Sequence, residues 1–132
     1  MVTTFELKSI VYNIIKASNF KTILNGDIYI DEKPLNSDKN DIVIGSLSIP
    51  KEVLLPSTVL INIYAKNIKS GTSDLPNLAV LNNATKLIMP LVDEVYLESK
   101  KTYLEIEYQR DYKIDGANER VSVIRLKTRT IN

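Results

Sequence analysis

The run TVLINIYAKN, residues 58–67, leaves little choice of conformation. Val59, Ile61, Ile63 and Ala65 fall on one face of a strand; Leu60, Asn62, Tyr64 and Lys66 fall on the other. One face is wholly apolar and the other mixed, so the strand belongs to a sheet that packs against a helix.

The flanking segments supply the helices and the other strands. Residues 4–19 predict an amphipathic helix, with Phe5, Ile10, Ile14 and Ala17 near helical spacing. Leu7, Val11 and Ile15 widen the stripe, and Thr3 or Thr4 caps it. Asn25-Gly26 marks a turn, and Ile28 to Ile30 begin a strand that Pro34 and a polar run break. Residues 41–49 resume strand character. Val43, Gly45, Leu47 and Ile49 share one face, Ile42, Ile44 and Ser46 the other, and Gly45 marks a bulge or a close backbone approach. Pro50 and Pro56 bracket a short connector, and residues 70–76 read as loop. Residues 76–99 read as the second helix, capped by Asp74. Its stripe is Leu78, Leu81, Ala84 or Thr85, Ile88, Leu91 or Val92, and Val95, and Pro90 should kink or split it. Residues 101–132 read as a long hairpin turning at Asp115-Gly116, with Leu104, Ile106, Tyr108, Tyr112, Ile124 and Leu126 on one face. The expected fold is α+β: one domain over residues 1–132, with a mostly antiparallel sheet. One N-terminal helix and one longer helix pack on one of its faces, in the order α-β-β-β-α-β-β.

Composition narrows the function classes. The 132 residues suit a single core. There is no cysteine and no histidine, which removes disulfides, thiolate metal sites and the commonest general base. Lys and Arg number 17 against 16 Asp and Glu, so no global attraction to nucleic acid or to an anionic membrane is expected. The N-terminal apolar residues are interrupted by Glu6, Lys8, Asn13 and Lys16, unlike a signal peptide. No apolar run is long enough for a membrane span, and a soluble protein that stays where it is made is expected. The four glycines form no phosphate-binding pattern. Glu105 and Glu107 share a strand face, but folding the hairpin at Gly116 sets Glu107 opposite Arg125, Glu105 opposite Lys127 and Tyr103 opposite Arg129. Such ion pairs describe a self-neutralised sheet surface more than a catalytic dyad or a phosphate track. The expectation is no enzyme, no cofactor and no metal. Tyr103, Tyr108 and Tyr112 on the hairpin fit either an interface or ordinary strand packing.

The stretch GDIYIDEKPLNSDKNDIVIGSL, then VLINIYAKN, a long helix and a final hairpin, resembles the tail terminator (tail completion, tail-to-head joining) proteins of long-tailed bacteriophages and prophages. The likeness runs from about Ile10 to Thr130, and its most specific piece is Lys33-Pro34-Leu35-Asn36-Ser37 followed by Asp41-Ile42-Val43-Ile44. The resemblance implies a homohexameric ring at the head-proximal end of the tail tube. That ring stops tube polymerisation and docks a head-neck connector protein; DNA meets it only in transit. It also implies a virion location after assembly in the bacterial host cytoplasm. On this footing the polar loop is expected to contact a neighbour or the tail-tube protein through Asp31, Glu32, Lys33, Pro34, Asn36, Ser37, Asp38 and Lys39. Arg125, Lys127 and Arg129 are candidates to face the lumen or DNA. Another neck or connector subunit, or a small nucleic-acid-binding module using the C-terminal basic strand, are the alternatives.

Overall fold

In the computed structural model, which describes residues 3–46, 57–70 and 73–130, the first apolar stripe forms α1 (Thr4–Lys16). Thr3 caps it reciprocally. Its Oγ1 accepts from the Glu6 N–H at 3.1 Å, and the Glu6 carboxylate accepts from the Thr3 N–H at 3.3 Å. The buried stripe is Leu7, Ile10, Val11 and Ile15. Phe5, expected in it, stands 73% exposed, and Lys8 is buried instead. A single 3-10 turn, Phe20–Thr22, then drops Phe20 into the core.

The strands are β1 (Ile28–Ile30), β2 (Ile42–Ser46), β3 (Ser57–Lys66), β4 (Ile68–Ser70), β5 (Ser73–Leu75), β6 (Val95–Leu97), β7 (Thr102–Lys113) and β8 (Glu119–Thr130). The second helix, α2 (Leu78–Val92), lies between β5 and β6. The main sheet runs β1-β2-β3-β8-β7-β6, and β4 pairs only with β5. The architecture is α+β and mostly antiparallel, as the sequence implies. The exception is β1, which pairs parallel to β2. A parallel neighbour cannot be reached by a tight turn, so the chain must travel back before β2 begins. Residues 31–41 are that return path.

Both helices pack on one face of the sheet, over Val59, Ile61, Ile63 and Ala65 of β3, Ile42 and Ile44 of β2, and Ile124 and Leu126 of β8. Each of the valine, leucine and isoleucine side chains among them, fully buried, contributes roughly 1.5–3 kcal/mol. From α2 come Leu81, Ala84, Ile88 and Val92. Among the described residues no helix covers the opposite face.

Several local expectations need correction. Residues 73–75 are not loop but strand β5, paired with β4. The second helix ends at Val92, and residues 95–97 pair with β7 instead of extending it. Its cap is Asn77, whose Oδ1 accepts from the Val80 N–H, not Asp74. Pro90 does not split it: Pro90 falls in the last turn, where a single missing donor is lost just before the helix stops. Gly45 sits in regular register, and a Cβ there would meet only the Asn62 side-chain amide at an ordinary 3.9 Å, so it marks neither a bulge nor a close approach. Leu47, Ile49 and the connector 50–56 lie outside the described residues.

The hairpin carries the largest correction. From Thr102 to Ile106 its register is the expected one, with Tyr103 opposite Arg129 and Glu105 opposite Lys127. Glu107 is then bulged out, and Tyr108 faces Arg125. One extra residue inverts the alternation of everything after it. Tyr108 and Tyr112 therefore leave the face of Leu104 and Ile106 for the opposite one, and Gln109 and Asp111 turn toward α2.

Gly26 shows how tightly the return path is seated. It is buried, and its N–H donates to Asn40 O at 3.0 Å. A Cβ there would collide with the Asn40 carbonyl and the Asp41 carboxylate. Asn40 cannot retreat easily, because its Oδ1 accepts from the Lys66 N–H at 2.8 Å and its N–H donates to Asn25 Oδ1 at 2.8 Å. Gly26→Ala is expected to cost about 1–3 kcal/mol in urea denaturation. A change within about 0.5 kcal/mol, the range of ordinary surface substitutions, would show that the approach is slack.

Candidate functional site

The polar return path is braced against the chain at its start, middle and end. Asp31, at a positive φ of 67°, accepts from the buried Lys8 ammonium at 2.8 and 3.0 Å. Lys33 crosses the helix-free face, stacks its ammonium 4.1 Å from the Tyr64 ring centre and donates to Glu119 Oε2 at 3.0 Å. Lys66 reaches the same carboxylate at 3.1 Å, and the Glu119 side chain is 8% exposed. Ser37 Oγ donates to Asp41 Oδ2 at 2.5 Å, while Asp41 Oδ1 accepts from the Asp27 N–H at 3.0 Å. The expected contact residues thus divide in two. Asp31, Lys33 and Ser37 bond within the chain, while Glu32, Pro34, Asn36, Asp38 and Lys39 face solvent. Leu35, at the tip between Pro34 and Asn36, is fully exposed. Its neighbours in the sequence, all polar or turn-forming, were the only signal of that.

The helix-free face is aromatic and cationic. Strand alternation and register place Tyr29, Tyr64, Tyr96, Tyr103, Tyr108 and Tyr112 on it, six of the seven tyrosines. Tyr12 alone packs on the helix side. Lys33, Lys66, Arg110, Arg125, Lys127 and Arg129 stand on or over this face against Glu105, Glu107 and Glu119. The local excess is cationic although the whole chain is only +1.

Arg125, Lys127 and Arg129 do line one strand, but they are unequally free. Arg125 Nε lies 3.1 Å from Glu107 Oε2, out of line for a hydrogen bond. Its guanidinium also donates to the Tyr108 hydroxyl at 3.4 Å, and this bond, ahead of the Glu107 charge, raises its pKa further. The Tyr108 ring is flanked by Arg110 at 4.5 Å and Arg125 at 5.6 Å. Lys127 faces Glu105, and Arg129 faces Tyr103 and is exposed.

A third feature lies on the helix side, where the bulge sends Gln109 and Asp111 toward α2. Thr85 and Ser122 hydroxyls bond at 2.7 Å, and Gln109 Nε2 donates to Ser122 Oγ at 2.9 Å. These groups floor a cleft of about 220 Å³, with Leu78 and Leu81 on the α2 side and Asp111 on the other. Leu78 is 56% exposed, and just before it the cross-strand pair Ile68 and Leu75 is half-exposed too. The helical stripe points Leu78 into the core; in the structure it opens the first turn of α2 and stays outside.

Among the described residues there is no group of three or more Asp and Glu placed to hold a metal ion. No protein-family model matches the sequence, and no curated protein matches it. Among solved structures, the fold is similar to that of a chain in the virion of a native gene transfer agent particle. The TM-score is 0.67 at 12% identity, covering 93% of this chain and 92% of that one.

Glu119 is the hub of the brace, and Tyr64 reports on it. Burial first, and the Glu119 charge second, push the Tyr64 phenol above its usual range. A raised folded-state pKa means that stability is complete below the ordinary value of about 10 and is lost as pH rises through the folded value. Glu119→Gln leaves Lys33 and Lys66 without their shared anion, and is expected to cost about 1–3 kcal/mol. It should also bring Tyr64 ionisation closer to its ordinary range. Urea denaturation and an ultraviolet tyrosinate titration check both. Unchanged stability would mean that the crossover is held elsewhere.

Proposed function

We propose that this chain is a structural subunit of a phage-type virion. It forms a hexameric ring at the head-proximal end of the tail tube, stops tube polymerisation and joins tail to head. The observation that carries the reading is a fold likeness over nearly the whole of both chains to a gene transfer agent virion chain. The loop and strand segments that resemble tail terminators support it from the sequence side.

The surface chemistry agrees with assembly better than with catalysis. On this reading the chain performs no reaction and holds no cofactor. Its partners are further copies of itself, the tail-tube protein and a head-neck connector protein, with DNA passing only in transit. The chain is assembled in the bacterial cytoplasm and ends in the virion. The nucleic-acid-module alternative draws on Arg125, Lys127 and Arg129, yet Arg125 is tied to Glu107 and Tyr108, and Lys127 faces Glu105. Phosphates would have to displace those partners first. Another neck or connector subunit draws on the same fold likeness, and differs in whether the protein caps a growing tube.

Light scattering, with and without the cognate tail-tube protein, tests the reading. The expected result is a mass near six copies of 14.9 kDa, alone or on the ends of shortened tubes. A protein that stays monomeric and leaves tube growth unchanged would overturn it. Rings that ignore the tube would shift the assignment to a connector.

A further inference from the structure

Asn25-Gly26 is the one Asn-Gly pair in the chain. The side-chain amide of an asparagine is open to attack by the backbone nitrogen of the next residue, and a glycine, lacking a Cβ, hinders that nitrogen least. The nitrogen loses its proton to water or hydroxide and bonds to the side-chain carbonyl carbon. The carbon–NH2 bond breaks, ammonia leaves and a cyclic imide forms. Water then opens the imide at either carbonyl, giving aspartate or isoaspartate. One water is consumed and one ammonia released, with no change of oxidation state.

The structure engages both reacting groups through a single residue of the return path. Asn25 is exposed, but its Oδ1 accepts from the Asn40 N–H at 2.8 Å. Gly26 is buried, and its N–H donates to Asn40 O at 3.0 Å. The first bond draws electrons from the amide carbon and by itself favours attack. The second withholds the nucleophile. The proton that must leave is held by a carbonyl, and the peptide plane is kept from turning toward the Asn25 side chain. Space is closed too, since even a Cβ on Gly26 would collide with the Asn40 carbonyl. Asn40 is fixed in turn by its own Oδ1, which accepts from the Lys66 N–H at 2.8 Å. Its neighbour Asp41 is bonded to Ser37 and to the Asp27 N–H. The Asp115-Gly116 pair of the hairpin turn is the contrast: it is exposed, with nothing within 4 Å of where a Gly116 Cβ would lie.

We propose that Asn25 is a deamidation site gated by the return path, closed while Asn40 is seated and reactive once Asn40 lifts. The mark is one-way. Isoaspartate inserts an extra backbone carbon beside Gly26, where there is no room for a methyl group. Either product adds a negative charge close to Asp27 and Asp41, which already meet through the Asp27 N–H. A chain that has opened here and reacted does not reseat as before. The inference is independent of the assembly role proposed above.

The test follows deamidation at position 25 by peptide-resolved mass spectrometry, in the folded protein and in a peptide of residues 21–30, in the same mildly alkaline buffer. The expected result is a folded-state rate at least about tenfold below that of the peptide, equivalent to an opening cost of about 1.4 kcal/mol or more. Asn40→Ala removes the tie to Lys66 and leaves residues 25–27 untouched, and is expected to raise the rate several-fold toward that of the peptide. Circular dichroism establishes that this variant is folded. Where it is not, hydrogen exchange at the wild-type Gly26 amide carries the same test, because both reactions need the bond to Asn40 broken. That amide is expected to exchange at least about tenfold more slowly than in the peptide. A folded protein that deamidates as fast as the peptide overturns the gate. So does a folded Asn40→Ala protein with the wild-type rate, or a Gly26 amide that exchanges as freely as in the peptide.

Discussion

The parallel pairing of β1 with β2 is the constraint on which the remaining structure turns. Antiparallel neighbours need only a turn, but a parallel pair obliges the chain to cross the sheet and start again. Here the crossing carries no helix, and side chains fasten it to the segments on either side. Asp41 takes the Asp27 N–H, Asn40 takes the Lys66 N–H, and Asn25 takes the Asn40 N–H. The same crossing ties α1 to the sheet edge through Lys8 and Asp31, and ties the edge to the distant hairpin through Lys33 and Glu119. What reads as a long polar loop is thus the joint between the first third of the chain and its last strand.

That joint also explains how, among the described residues, one face of the sheet goes without a helix. Lys33, Tyr64, Lys66 and Glu119 form a compact polar cover over its far end, and Val121 beneath is only 5% exposed. Toward β7 and β6 the cover gives way to tyrosines and arginines, whose rings and guanidinium groups stack on one another. Amphipathic side chains of this kind tolerate water and also bury well against a partner.

Legibility followed the length of each signal. The alternation in β3 and the stripes of α1 and α2 span enough residues to settle their type, and with them the α+β class. Three-residue strands such as β4, β5 and β6 carry no period of their own and take their form from a neighbour. The direction of β1 is invisible in IYI, since strand side chains alternate identically whichever way the neighbour runs. The Glu107 bulge is likewise unmarked: an unbroken EIEYQ reads as regular strand, and only packing against β8 selects the extra residue. Of the candidate site, the return path was legible as polar and long; that Asp31, Lys33 and Asp41 are bonded within the chain while its single leucine stands out was not. The cleft depended on the bulge, so it was hidden for the same reason.

The distribution of aromatic residues has an optical consequence. The chain has no tryptophan, and all but one of its tyrosines lie on the helix-free face. Its near-ultraviolet absorption and intrinsic emission therefore come almost wholly from one side of the molecule. Tyr96 and Tyr112, the two most exposed, are 49% and 43% accessible. Whatever covers that side in an assembled particle alters the signal directly, while an occupant of the α2 cleft leaves it nearly dark. The protein carries a label-free reporter that tells its two faces apart.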